Sequence, residues 1–219
     1  MEFIQIVDFS TYLNPVILFA GIGIGFYFYK KLDNLHKTLT YYLVIMFILD
    51  ILSRIIGFKY GNNLVFIPIG GFFELLGFSV FYYFLGIKES LIKKWALIAT
   101  VFCTFLFAIW EIIKVYNAPV EEFESYTTVI ATLFVVLMAL GFFLGNILKR
   151  KEISNNIFML NSGILIFFSL VLIIFLPIDF LIHDNTGLKF YFWFANLIFT
   201  LVFYTFLNLS IWKNGKIQE

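Results

Sequence analysis

Seven separate runs of about twenty apolar residues leave a lipid-spanning helix bundle as the one fold open to this chain. The runs are Tyr12–Tyr29, Leu39–Gly57, Leu64–Ile87, Trp95–Tyr116, Tyr126–Leu148, Asn156–Phe180 and Leu188–Trp212. A helix rises 1.5 Å per residue, so about 20 residues cross a hydrocarbon core about 30 Å thick. The runs are apolar on both faces, whereas the strands of a membrane barrel would alternate. No break between them has room for a separate soluble domain. Residues 1–219 therefore read as a single all-α, polytopic transmembrane domain.

Composition agrees where it is needed. The chain is 62% hydrophobic and 13% charged, against about 45–50% and 25% for soluble domains. A net charge of +1 gives no basic stripe to hold phosphates, which excludes nucleic acid as a partner. Met1 to Ser10 carries Glu2 and Asp8 but no base, unlike a cleaved signal peptide, so the first run is expected to remain as a span. Much of the 31 Phe is compatible with codon bias and carries little functional weight. The lone Cys103 can form no internal disulfide and anchor no zinc site, and is expected to pack.

The basic residues orient the bundle. Lys30, Lys31, Lys37, Lys88, Lys93, Lys94, Lys149, Arg150, Lys151, Lys213 and Lys216 all fall on one side. Arg54, Lys59, Lys114 and Lys189 fall on the other, with the acidic loop residues Glu121, Glu122 and Glu124. The expected arrangement has the N-terminus outside and the C-terminus in the cytoplasm of a bacterial inner membrane.

Charges inside a span cost about 2.5–3.5 kcal/mol each on insertion scales, so each needs a reason. Asp50 and Arg54 stand at i,i+4 near the outer end of the second span and can pair. Glu74 stands about ten residues into the third span, roughly 15 Å deep and near the midplane. Trp110 and Glu111 lie about one turn from the outer end of the fourth. Asp179 closes the sixth, followed by His183 and Asp184. Trp193 and Asn196 lie in the outer half of the seventh. The inner half offers Asn161, Asn208 and hydroxyls. Pro15, Pro68, Pro119 and Pro177 also fall at outer ends or in an outer loop, as splayed ends around a wet cavity would require. The candidate ligand-binding residues are therefore Asp50, Arg54, Glu74, Trp110, Glu111, Trp193 and Asn196.

Each has a plainer reading. Asp50 and Arg54 can merely neutralise one another, and Glu111 with Lys114 at i,i+3 can do the same. Trp110 and Trp193 suit an interfacial aromatic belt, and Asn196 an interhelical hydrogen bond. Glu74 is too deep to snorkel and shares its span with no base. It must be protonated, meet Arg54, or bind a cation.

Gly21, Gly23 and Gly25 have the spacing of a phosphate loop, but inside a lipid span with no strand before them. Gly21 with Gly25, and Gly141 with Gly145, are small-xxx-small pairs expected at close helix crossings. Phe72-Phe-Glu74-Leu-Leu and Phe81-Tyr-Tyr-Phe-Leu85 lie over Phe194-Ala-Asn196-Leu-Ile and Phe203-Tyr-Thr-Phe-Leu207 at one offset. If these matches are a repeat, two three-helix units are joined by the fourth helix, as in some transporters.

Residues exclude several seven-helix families. A retinal protein needs a lysine well inside the seventh helix, but Lys189 and Lys213 stand only at its two ends. Ceramidase-like hydrolases need several histidines for zinc, and His36 and His183 lie on opposite sides. Sugar transporters with a Pro-Gln motif share the three-one-three plan, but no Pro-Gln occurs. The run from Asn62-Asn-Leu through Glu74 to Phe81-Tyr-Tyr resembles small bacterial seven-helix membrane proteins often encoded beside sensor histidine kinases. That resemblance covers about a quarter of the chain. It implies a seven-helix membrane fold and a kinase neighbour, and no established activity.

The polar groups of the outer half point to a sensor or receptor-like module. It would take a small ligand from outside and signal through a kinase or another membrane subunit. The alternative is a small-solute or proton-coupled transporter. An enzyme using Glu74 with Asp50, or Asp179 with His183, lacks a nucleophile motif, and a purely structural subunit remains the plain alternative. No cofactor or metal site is expected.

Overall fold

A computed structural model describes residues 3–87, 90–117, 126–148, 150, 152, 154–176 and 188–217. Among the described residues there are seven α-helices and no strand. They are α1 (Phe3–Tyr27), α2 (Asn34–Tyr60), α3 (Phe66–Leu85), α4 (Leu91–Asn117), α5 (Tyr126–Leu148), α6 (Asn155–Phe175) and α7 (Leu188–Ile217). All seven are long and apolar enough to cross a membrane. Pro119, Pro177, Asp179, His183, Asp184 and the acidic residues Glu121, Glu122 and Glu124 lie outside the described residues, as do Lys88, Lys149 and Lys151.

α5 coincides with its apolar run, while α1, α2, α4 and α7 extend beyond theirs. Hydropathy marks only the lipid-depth part of a helix, whereas the backbone ladder continues until a cap ends it. At α2 the caps are explicit. The Asp33 carboxylate accepts from the His36 backbone N–H at 2.8 Å, and Gly61 closes the helix at φ 72°, which costs glycine no Cβ clash. Pro15 falls inside α1 rather than at its end, because α1 begins at Phe3. Pro68 sits in the first turn of α3, where a missing N–H costs little.

Each helix packs against its predecessor through a short connection, which makes neighbours antiparallel. One end of the bundle therefore carries the start of α1 and the other the end of α7; these are termed the N-terminal and C-terminal faces. α1 packs on α2 and α7, α2 on α3, α3 on α5, α5 on α6 and α6 on α7, which closes a six-helix ring. α4 lies outside the ring against α3 and α5, and α2 also touches α7. Exchanging α1, α2 and α3 for α5, α6 and α7 maps this ring of contacts onto itself.

Aromatic side chains fill the middle of the ring. Phe167 of α6 stacks on Phe203 of α7 at 3.9 Å between centroids. Phe78 of α3 meets Phe168 at 4.9 Å and Tyr42 of α2 at 5.0 Å. Tyr42 also faces Tyr204 of α7 at 6.4 Å. Toward the C-terminal face the buried Tyr82 hydroxyl donates to Asn161 Oδ1 at 2.7 Å, and Asn161 Nδ2 donates to the Ala139 carbonyl at 3.2 Å. Such bonds matter because a buried polar atom without a partner costs about 1–3 kcal/mol. The outer surface is apolar, with Phe58, Ile92, Leu144 and Ile173 exposed, as a lipid-facing surface requires.

Two expectations fail here. Cys103 is exposed rather than packed, because α4 stands outside the ring and turns one side away from it. Gly21 and Gly25 do mark a close crossing. A Cβ would lie 1.8 Å from Asn208 Oδ1 at Gly21 and 2.4 Å from Thr40 at Gly25. Gly141 and Gly145 do not, since a Cβ there meets nothing within 4 Å; they line a cavity instead.

The tightest backbone constraint is at Gly71 of α3, where a Cβ would stand 2.9 Å from the Thr128 Cα of α5. Backbone cannot swing aside as a side-chain tip can. Gly71→Ala is expected to destabilise the α3–α5 crossing by about 1–2 kcal/mol. Gly70→Ala, with nothing within 4 Å, should leave the melting temperature in detergent nearly unchanged.

Candidate functional site

On the N-terminal face, α1, α2, α3 and α7 splay around a cleft of about 470 Å³. Its lining is mixed: Asn14, Asp50, Ser53 and Asn63 are polar, Trp193 and Tyr204 aromatic, and Met46, Leu49, Leu64, Phe66 and Ile67 apolar. Few convergent polar groups on an apolar wall is the usual character of a small-molecule site.

The i,i+4 spacing brings Asp50 and Arg54 together on α2. Arg54 Nε donates to Asp50 Oδ2 at 2.7 Å and Nη2 donates to Oδ1 at 3.3 Å, a two-pronged pair. Arg54 Nη2 also donates to the Thr11 carbonyl at 2.6 Å, and its guanidinium lies 5.8 Å from the Tyr12 ring. Asn14 Nδ2 donates to Asp50 Oδ1 at 2.9 Å. The pair thus ties α1 to α2 at the mouth of the cleft. Asn63 Nδ2 donates to Ser53 Oγ at 2.9 Å and fixes the α2–α3 turn.

Arg54 bonds Asp50, not Glu74. Glu74 lies one turn deeper on α3 than Gly70, a cleft residue, and so on the same helix face. It is half-buried. No cation pairs with it among the described residues. Glu74 itself does not line the cleft. Asn196 lies one turn deeper than Trp193 on α7; it is half-buried, does not line the cleft, and its carbonyl accepts from Thr200 Oγ1 at 2.8 Å. Trp193 packs edge-on against Phe175 of α6 at 5.8 Å.

Trp110 and Glu111 stand apart from this cleft. Trp110 is 52% exposed on α4, with Phe107 at 5.2 Å and the Lys114 ammonium at 5.9 Å. Glu111 is buried, and its carboxylate accepts from the backbone N–H of Thr127 at 2.8 Å and from the Thr127 hydroxyl. It thereby satisfies an unpaired donor in the first turn of α5. Both residues stand toward the N-terminal-face end of α4, but α4 lies outside the ring and carries them away from the cleft.

A second polar cluster escapes depth reasoning altogether. At the C-terminal face, His36 Nδ1 lies 2.8 Å from Asp33 Oδ1 and His36 Nε2 lies 3.2 Å from Ser210 Oγ of α7. Asn214 Nδ2 donates to Asp33 Oδ2 at 3.0 Å, and the Asp33 N–H donates to Asn214 Oδ1 at 3.3 Å. The aspartate three residues before His36 signals only a helix cap; its link to α7 is a tertiary contact. Burial opposes ionisation of Asp33, but hydrogen bonds from His36, its charge and Asn214 outweigh that and hold the carboxyl below its ordinary 3.8. A carboxyl that ionises more readily when folded adds stability that is present above its unfolded value. That stability is lost as pH falls through the lower folded value. Thermal melts from neutral pH down to about pH 3 should fall less steeply in Asp33→Asn than in the unaltered protein. Parallel profiles would show that Asp33 contributes no acid sensitivity.

Among the described residues no group of three or more His, Cys, Asp or Glu could hold a metal. Comparison of the chain with protein-family models, curated proteins and solved structures finds no match.

Proposed function

We propose that the protein is a sensor or receptor-like membrane module whose N-terminal face is outward. Its cleft takes a small ligand from outside, and a helix shift passes the signal to a partner, a kinase or another membrane subunit. The bias of Lys and Arg toward the C-terminal face supports that orientation in a bacterial cytoplasmic membrane. The observation that carries the reading is the cleft itself: a polar mouth, Trp193 and Tyr204 on its wall, and next to Tyr204 the buried rings of Tyr42, Phe78 and Phe168 in mid-bundle. A ring-packed bundle middle suits binding without passage. Glu74, one helical turn beyond Gly70 of the lining, with Trp193 and Tyr204 on the wall, suits a small organic cation, which a carboxylate and aromatic faces hold together.

A second reading, a small-solute or proton-coupled transporter, is favoured by one observation. The ring of contacts maps onto itself when the first three helices are exchanged for the last three, as in transporters built from parallel repeats. Vesicles containing the purified protein separate the two readings. Choline or tetramethylammonium that raises the melting temperature without entering the vesicles supports the sensor. Accumulation inside the vesicles that Glu74→Gln abolishes supports the transporter. Neither stabilisation nor uptake, with a wider panel of small polar solutes also inert, would remove both.

A further inference from the structure

The cluster at the C-terminal face lies apart from the cleft and shares no residue with it. Asp33 is an acceptor when ionised, so the 2.8 Å contact requires His36 Nδ1 to carry a proton. In the neutral imidazole Nε2 is then an acceptor, and the Ser210 hydroxyl donates to it at 3.2 Å. Asn214 and the capping bond to the His36 backbone hold Asp33 in place. His36 is 5% exposed. Acid, imidazole and hydroxyl stand in the order and at the spacing of a nucleophile, its base and the group that orients the base. Such a constellation is recognised by geometry, not by order in the chain.

The relay opens onto a cavity of about 200 Å³ between α6 and α7, which His36 and Ser210 both line. Phe206, Leu209 and Met159 make its wall apolar, while Lys213 and Asn156 add polar groups beside Ser210. Lys213 stands three residues after Ser210, on the same helix face. The backbone N–H groups around Ser210 lie inside α7 and are committed to its ladder, so a developing oxyanion would have to be met by Lys213 and Asn156.

We propose that Ser210 is a nucleophilic serine, with His36 as its base and Asp33 as the positioning residue, acting on esters whose acyl part is apolar. Ser210 Oγ bonds to the ester carbonyl carbon as its proton passes to His36 Nε2. The ester C–O bond breaks, and the departing alcohol takes that proton from His36. Water then gives a proton to His36 and attacks the acyl carbon, which releases the acid and restores the Ser210 hydroxyl. The site uses none of the cleft residues, so it and the sensor reading stand or fall separately.

The test is labelling of the full-length protein in micelles with a fluorophosphonate probe, where the Oγ–P bond forms and fluoride leaves. Peptide mass spectrometry should place the label on Ser210, and Ser210→Ala should abolish it. His36→Gln and Asp33→Asn should each slow labelling by at least about a hundredfold, and Asp33→Glu should recover part of the rate. A role confined to tethering α2 to α7 would lower the melting temperature of these variants without any labelling to lose. Should His36→Gln fail to fold, Ser210→Cys in a Cys103→Ser background gives a second measure. Its thiol should react with iodoacetamide at least about tenfold faster than in the same protein carrying Asp33→Asn. No label on Ser210 in folded protein, or a rate independent of both His36 and Asp33, would overturn the proposal.

Discussion

Replacing Arg54 with methionine should lower the stability of the bundle by about 3 kcal/mol, the low end for breaking a buried ion pair. The low end applies because the Arg54 and Asp50 side chains keep 32% and 17% of their surface exposed. Most of the loss comes from what remains. Asp50 keeps its bond from Asn14 but loses both guanidinium contacts, and the Thr11 carbonyl loses its donor. A carboxylate near lipid without its cation is costly to keep and draws in water. Arg54→Met with Asp50→Asn removes the stranded charge, so the double variant should recover at least about half of the loss, since residues in one network couple strongly. Melting temperatures of the three variants in the same detergent measure this. A single variant as stable as the unaltered protein would reduce the pair to a solvated surface contact worth about 0–1 kcal/mol.

The second large effect is expected at Glu74. Its head has no cation among the described residues, and Arg54 is committed to Asp50. Glu74→Gln keeps the shape and removes the charge that the proposed cationic ligand would meet one helical turn beyond Gly70 of the cleft. Half-stabilisation by choline or tetramethylammonium should need about ten- to a hundredfold more ligand, equivalent to about 1.4–2.8 kcal/mol of lost attraction. Trp193→Ala should act in the same direction and less strongly, since one cation–π contact is worth about 0.5–2 kcal/mol. An unchanged titration in Glu74→Gln would remove Glu74 from the site and leave the cleft to neutral ligands.

How far residues alone reveal this molecule depends on which coordinate is asked for. Hydropathy and a rise of 1.5 Å per residue mark apolar helices and position along them, so the seven long apolar helices and the mid-helix place of Glu74 on α3 were legible. Spacing within one helix was legible too: Asp50 and Arg54 pair as their i,i+4 relation implies. Position around the bundle axis was not. Trp110 and Glu111 have the same depth as the cleft residues, yet α4 packs outside the ring and points them elsewhere. Ring and peripheral helices alike bury one side and turn the other to lipid, so a helix's own face pattern does not name the helices it packs on. The same gap explains Cys103, and Gly141 with Gly145, whose close-crossing spacing meets open space. Asp33, His36, Ser210 and Asn214 join the start of α2 to the end of α7. That contact depends on the order in which the ring closes, which no local pattern records.

Labelling from one side of the membrane tests the central claim most directly. Ser53 lines the N-terminal-face cleft and Asn156 lines the cavity at the opposite face. In a Cys103→Ser background, Ser53→Cys and Asn156→Cys are expressed separately and intact cells are treated with a membrane-impermeant maleimide. The account predicts that Ser53→Cys is labelled from outside, that choline slows the labelling, and that Asn156→Cys reacts only after the cells are opened. Labelling of Asn156→Cys in intact cells, with Ser53→Cys protected until lysis, would contradict it.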